Sequence, residues 1–296
     1  MPVIKVTSSS GAARASTQGP HLAAAVMAVT LAKASEPPTV HEQHKRVRPE
    51  KTRPRNPNRL TVNQHVFPSK SIGRFTNHGG HVSVRDLQRG EVIRAKPDNA
   101  IFCARRAWDQ RAETGYMKRI EDEFQKIVGP IVDGKVATLV PEHKPAIDRM
   151  YALWYMRSRY RELESQEIEL VGIAGDDLTK AQEENLEKNG YLFARKGGRM
   201  PARQLNGLQI QKRIDGYAVD LAAGVTRWGV ISAQSGEFIV PDVPVHGIIP
   251  LKPRLALVQS APDGMIVERN VAEINRAMRA TSLDYVFARD FSSCPF

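Results

Sequence analysis

Trp228-Gly229-Val230-Ile231-Ser232-Ala233-Gln234-Ser235-Gly236-Glu237-Phe238-Ile239-Val240-Pro241-Asp242-Val243-Pro244-Val245, followed by Ile249-Pro250-Leu251, is the stretch on which the fold class turns. Two short β-branched runs flank Gln234, Ser235 and Gly236, a pattern that predicts a hairpin. Its second strand, Phe238-Ile239-Val240, breaks at Pro241. Asp242 then stands between two prolines, Pro241 and Pro244. A carboxylate held at a strand end either presents chemistry or accepts backbone N–H groups in a turn.

Downstream of that stretch, Ile248-Ile249 and Leu255-Ala256-Leu257-Val258 read as further strands around Pro250 and Pro253. Val271, Ile274 and Met278 mark a last helix, and Tyr285-Val286-Phe287-Ala288 a final strand. Upstream, His81 to Asp86 and Glu91 to Ala95 alternate and are joined by Leu87 to Gly90, a second hairpin. Helical spacing then takes over. Met117, Ile120, Phe124, Ile127 and Val128 form one stripe, which Gly129-Pro130 is expected to end or kink. Ile147, Met150, Tyr151 and Trp154 form a second stripe after Pro145. Asp177 is the expected cap of a short polar helix that stops at Gly190. Ile210, Ile214, Tyr217, Ala218, Leu221 and Val225 form a third long stripe. Strands, then helices, then strands, without βαβ alternation, predict an α+β fold: a helical core packed on a small antiparallel sheet of hairpins.

The chain has 296 residues, 41% of them hydrophobic, and a formal net charge of +11. Such a balance favours an anionic partner, nucleic acid first. The charge is uneven. Lys45, Arg46, Arg48, Lys51, Arg53, Arg55 and Arg59 crowd one stretch in which Glu50 is the sole acid. Residues 1–60 are rich in Ala, Ser, Pro and basic side chains without a period, and are read as a disordered basic segment before one α+β domain over 61–296. The two cysteines, Cys103 and Cys294, are far apart, which fits a reducing compartment and a cytoplasmic chain. No apolar run reaches the ~20 residues of a membrane span. The small apolar residues of 22–34 leave export open as a second location, and Met27 is an alternative start.

The spaced motifs resemble an uncharacterised bacterial family, the domain-of-unknown-function family numbered 4238. Asn63-Gln64-His65-Val66-Phe67-Pro68, leading through Ile72 to Arg74-Phe75, is similar to its N-terminal signature. The hairpin with Val84 and Asp86 and the Ile120-Glu121 pair follow in the family's order. Trp228, Phe238, Asp242, Pro244, Val245, Pro250, Leu251 and Pro253 match the later signature, and Asn275 an asparagine of its last helix. The resemblance covers residues 61–290. Pro241 and Lys252 stand where the family usually carries hydroxyl residues. What the resemblance implies is continuity of fold; it implies no reaction.

The candidates for chemistry each carry two readings. His65 is a general base or metal ligand, or a histidine that ties its ring to the backbone. Asp242 binds a divalent cation or polarises a nucleophile, or closes a turn. Asp86, Glu121 and Asp242 are the carboxylates a two-metal nuclease would bring together. Arg157 falls on the apolar face of its helix and requires a carboxylate, Glu121 or Asp242, or a phosphate. Arg105-Arg106 beside Trp108 is a basic–aromatic patch that would stack on a base. Asn275, on the stripe of Val271 and Met278, is expected to bolt helix to sheet through its amide. Gly172 to Gly175 lacks the Lys-Ser/Thr of a phosphate loop, and Gly197-Gly198 reads as a flexible basic turn. His78 and His81 read as exposed loop residues.

Three functions are thus expected in order. The first is a cytoplasmic nucleic-acid-interacting protein, as an accessory or defence factor. The second is a metal-assisted hydrolase, a nuclease or phosphodiesterase, in which His65 and Asp242 share a cleft with a divalent cation. The third is a non-catalytic interaction module.

Overall fold

The structure, a computed structural model, describes residues 49–161 and 167–296. The apolar residues 22–34 and Lys45, Arg46 and Arg48 lie outside the described residues. Strand β1 (Asn63–His65) and the short helix α1 (Ser69–Gly73) lead into β2 (Val82–Asp86) and β3 (Val92–Ala95). Next come β4 (Cys103–Arg105), a π-helical stretch (Ala112–Met117), α2 (Lys118–Val132) and α3 (Lys144–Tyr160). β5 (Ile168–Glu169), α4 (Lys180–Lys188), β6 (Arg199–Met200) and α5 (Ala202–Gly224) follow. The C-terminal part holds β7 (Trp228–Ala233), β8 (Val240–Pro241), β9 (Ile248–Lys252), β10 (Leu255–Gln259), β11 (Gly264–Ile266), α6 (Glu268–Thr281) and β12 (Tyr285–Ala288). The fold is α+β, as the element order predicts.

Two four-stranded sheets form its middle layer. One has the order β3-β2-β12-β8, the other β11-β7-β10-β9. All their pairings are antiparallel except β11 with β7. Side chains alternate across a strand, and here the alternation divides the apolar residues between two cores. Val82, Val84, Trp228, Val230, Leu255, Leu257, Tyr285 and Phe287 join the large core with α2, α3 and α5. Ile231, Ala233, Ala256, Val258, Val286 and Ala288 join a smaller one with Val271 and Met278 of α6. The N-terminal signature feeds the large core: the Phe67 ring lies 4.5 Å from Trp154 and that of Phe75 5.7 Å from Phe287.

The β2–β3 hairpin stands where its alternation predicts, with Val82 opposite Ala95 and Val84 opposite Ile93. Asp86 closes its turn by accepting the N–H groups of Gln88 and Arg89, each at 2.9 Å. The Trp228 hairpin is corrected. The turn at Gln234 to Gly236 is present, but β7 is flanked by β10 and β11, and β8 pairs with β12 in the other sheet. With both neighbours of β7 supplied by later strands, the returning chain has no ladder left to join. It crosses between sheets instead. Phe238 N–H donates to Pro253 O at 2.7 Å, and Glu237 N–H to Ser293 O at 2.9 Å. Ile239 N–H goes to the Asn275 side-chain oxygen at 3.0 Å. The Asn275 amide nitrogen donates to Glu237 O at 2.9 Å and Pro295 O at 3.0 Å.

Two helix boundaries also differ from expectation. α2 runs through Gly129-Pro130 to Val132. Pro130 lies inside the helix two residues before its end, so only the last turn loses a bond to its missing N–H, and Lys252 Nζ caps Val132 O at 2.7 Å. α4 is capped by Thr179, not Asp177, through a reciprocal bond with Gln182.

Asn275 is fully buried and its amide replaces three ladder bonds that the crossing chain lacks. Asn275→Ala leaves Ile239 N–H, Glu237 O and Pro295 O without it, a loss of about 3 kcal/mol. Urea unfolding of the two proteins measures this; a difference within ~0.5 kcal/mol, the range of a neutral surface change, would show that the crossing does not need its bolt.

Candidate functional site

His65 lies on β1 opposite Cys103 of β4. Its Nε2 is 3.0 Å from Pro97 O. A carbonyl only accepts, so that nitrogen carries the proton and the ring is tied to the backbone. The neighbouring Cys103 thiol bonds Asn99 O at 3.7 Å, and burial pushes it up to about 11, so it is a thiol near neutral pH.

Asp242 follows β8. One carboxylate oxygen accepts Leu283 N–H at 3.0 Å and the other Asp284 N–H at 2.7 Å, which fixes the approach to β12. Burial raises its carboxyl from the ordinary value, against those two donors. The three carboxylates considered for a two-metal centre are each engaged elsewhere. Asp86 closes its hairpin turn, Glu121 pairs with Arg157, and Asp242 holds the turn before β12. Among the described residues no three His, Cys, Asp or Glu side chains converge as a metal-binding group.

Arg157 is fully buried on α3. It donates to Glu121 through Nη1, and to Glu113 through Nη2 at 3.2 Å; Asp242 is not its partner. Its guanidinium lies 5.5 Å from the centroid of the Trp108 ring. Trp108 is itself 0% exposed and donates Nε1–H to Glu113 at 2.6 Å. The expected basic–aromatic patch is therefore corrected. A buried indole has no face for a base, and Arg106, 4% exposed, turns inward with φ 49°. Only Arg105 of the three is exposed, paired across the ladder with Asn63.

The structure assembles a different constellation, around the one acid of the basic stretch. Glu50 Oε1 accepts from Lys180 Nζ, and from Arg195 Nη2 at 2.7 Å. Its Oε2 accepts from Arg203 Nη1, and its backbone carbonyl from Arg106 Nη1 at 3.2 Å. Three residues on, Arg53 donates N–H and Nε–H to Glu184 at 2.6 and 3.1 Å. Residues 49–60, read from composition as part of a disordered segment, are thus fastened to α4 and α5. Behind the cations stand more carboxylates. Glu183 takes two bonds from Arg195 at 2.5 and 2.7 Å. Glu187 Oε2 takes Arg106 Nη2 at 2.6 Å and Arg203 Nε at 2.8 Å. Glu167 also pairs with Arg195.

Two interlocked loops hold Arg195 in place. Gly197 and Gly198 both donate to Ala174 O, at 2.8 and 3.0 Å. A Cβ on Gly198 would lie 2.4 Å from Ile173 O, and one on Gly175 2.0 Å from Arg195 O. The Gly197-Gly198 turn is packed against the 170–176 loop, not flexible. Sequence reading missed Glu50, Lys180, Arg195 and Arg203 as a group. The available signals were the lone acid in a basic run and the one-sided Glu183, Glu184 and Glu187 of α4, all buried.

No protein-family model, no curated protein and no solved structure matches this chain. No helix among the described residues is long and apolar enough to cross a membrane.

Burial works to raise the Glu50 carboxyl and is outweighed by Arg203, Lys180 and Arg195, which bring it from 4.5 to about 2. Glu50 therefore stabilises the fold fully above its unfolded value, and this contribution is lost as pH falls through the folded one. The stability gap between wild type and Glu50→Gln should be widest at neutral pH and shrink between ~4.5 and ~2. Urea midpoints of both proteins down that range test it; a gap that stays constant would show that Glu50 is not held as an anion.

Proposed function

We propose that this chain binds nucleic acid along an ordered basic ledge formed by residues 51–59 and Arg105. Six Lys/Arg and two Glu fall in residues 1–48, which leaves 37 basic and 30 acidic side chains, net +7, on residues 49–296. The observation that carries the reading is the conformation of the ledge. Lys51, Arg55 and Arg59 are exposed, and the backbone that carries Arg55 and Arg59 is held by hydrogen bonds. Asn56 N–H donates to Arg53 O at 3.0 Å and Arg59 N–H to Asn56 O at 2.9 Å. The Asn56 side chain brackets Leu60, accepting its N–H at 3.0 Å and donating to its carbonyl at 2.7 Å.

Arg55, Asn56 and Arg59 take φ of 65°, 47° and 48°. Side chains adopt that region at a cost on the order of 1 kcal/mol each. A solvated linker has no reason to hold three such residues. A surface that presents cations at fixed spacing does, because pre-ordering them removes that cost from binding. The hydrolase reading draws less support, since His65 and Asp242 are both bonded to backbone.

A labelled oligonucleotide should bind the full chain with an affinity that falls steeply with salt, because each neutralised phosphate releases counterions. Arg55→Ala with Arg59→Ala should lower the slope of log K against log salt by about 2, roughly one unit per lost phosphate contact. Anisotropy titrations over a salt series read both. Absence of binding at low salt, or a slope unchanged in the double variant, would remove the ledge as the binding surface.

A further inference from the structure

The cations around Glu50 form more than a brace for the arm. Arg203 spends Nε on Glu187 and Nη1 on Glu50, and its Nη2, buried, has no partner among the described residues. Arg106 spends Nη2 on Glu187 and Nη1 on the Glu50 carbonyl, and its buried Nε likewise has no partner there. Glu183 and Glu167 hold Arg195, and Glu187 holds Arg203, while Arg195 Nη2 and Arg203 Nη1 each reach one oxygen of the Glu50 carboxylate. Lys180 Nζ closes the ring of donors. Rigidly backed guanidinium forks with an ammonium beside them are suited to an oxyanion, and best to one with three or more acceptor oxygens. The carboxylate of Glu50 has two. It leaves a donor unused on a side chain that is 4% exposed.

We propose that Arg106, Lys180, Arg195 and Arg203 form a phosphate-binding cradle that Glu50 fills in cis, so that the arm of residues 49–53 is a displaceable plug. Arg53 on Glu184 is the latch of that plug and lies outside the cradle. The plug is carried on the same chain, so it competes at an effective concentration on the order of millimolar, and a free ligand must exceed that or bring other contacts. The ligand chemistry is a phosphate group, borne either by a nucleic-acid backbone or by a small phosphorylated molecule. The cradle does not depend on the ledge reading above.

The experiment uses the full chain and inorganic phosphate as probe, titrated by calorimetry into wild type, Glu50→Ala, Arg53→Ala and Glu50→Ala/Lys180→Ala. Removing the plug should tighten phosphate binding about tenfold or more over wild type. Unlatching it through Arg53→Ala should give a smaller gain in the same direction. The double variant should lose the gain. A parallel titration with a short single-stranded oligonucleotide separates the two sources. Phosphate binding that rises in Glu50→Ala without any oligonucleotide binding upholds the cradle, assigns it to small phosphorylated ligands and sinks the nucleic-acid reading. Oligonucleotide binding that is untouched by Glu50→Ala and by the double variant overturns the cradle and leaves the ledge. Phosphate affinity equal in wild type, Glu50→Ala and Arg53→Ala also overturns it. So does the loss of a cooperative unfolding transition in either single variant, which would make the arm a structural strap and not a plug.

Discussion

The crossing of the chain from one sheet to the other at residues 237–242 is the constraint on which the rest of the molecule depends. A strand that leaves its sheet loses its ladder, and unpaired buried amides cost as much as lost hydrogen bonds. Asn275 resolves this from the side, offering one acceptor and two donors to Ile239, Glu237 and Pro295. Pro241 then stands opposite Val286 on the edge strand β8, where a missing N–H is tolerated. Asp242 completes the same crossing by pinning the two residues ahead of β12. With β12 placed, Tyr285 and Phe287 face the large core and Val286 and Ala288 the small one. One side-chain amide and one carboxylate thus serve the backbone of the crossing, while β12 is held in its sheet by its ladder with β2.

The second fastening works by charge. Glu183, Glu184 and Glu187 are buried on one face of α4, an arrangement that is costly unless each carboxylate is paired. Arg195, Arg53, Arg106 and Arg203 supply the pairs. The partners come from sequence positions 12 to 131 residues away, so the network ties the arm, the β4 loop, α4 and α5 into one body. Arg157 of α3 does the same job with Glu113 of the π-helical stretch and Glu121 of α2. Buried arginines in this fold are joints. That is why a positive net charge by itself said little about which cations meet solvent.

Legibility divided along the range of the interactions. Elements whose pattern is local were readable. The β2–β3 hairpin, the stripes of α2, α3, α5 and α6, and the short apolar runs of β10 and β12 depend on the pattern within one segment. That Arg157 needs a partner, with Glu121 one of the three named, and that Asn275 is a bolt, were also readable, because a polar residue on an apolar stripe must find a partner; Glu113, the second partner of Arg157, was not. The pairing of β8 was not. A turn flanked by two strand-like runs looks the same whether the second run folds back or crosses over, and only later strands decide. The cradle was hidden for a related reason. Its donors stand at 106, 180, 195 and 203, and no spacing rule joins them to Glu50.

His65 and Asp242 show why strand-end polar residues mislead. A strand that stops must satisfy the groups its ladder abandons, and a His or Asp beside a proline is a short-range way to do it. His65 gives its ring N–H to the Pro97 carbonyl, and Asp242 takes two N–H groups where β12 begins. The residue types that catalysis favours are the same ones that turn chemistry favours, for the same reason: a compact polar group held in a fixed direction. What separates the uses is whether several charged groups still gather at one place, with polar capacity left over, once the backbone is served. On Asp242 the backbone takes both oxygens. At the cradle a buried guanidinium keeps a donor in hand while its neighbours converge on a carboxylate that does not fill the site. Buried donors without a partner among the described residues occur on Arg157 and Arg74 as well, so it is the gathering of Lys180, Arg195 and Arg203 on the one carboxylate of Glu50, together with an unspent donor, that marks this part of the fold for a ligand.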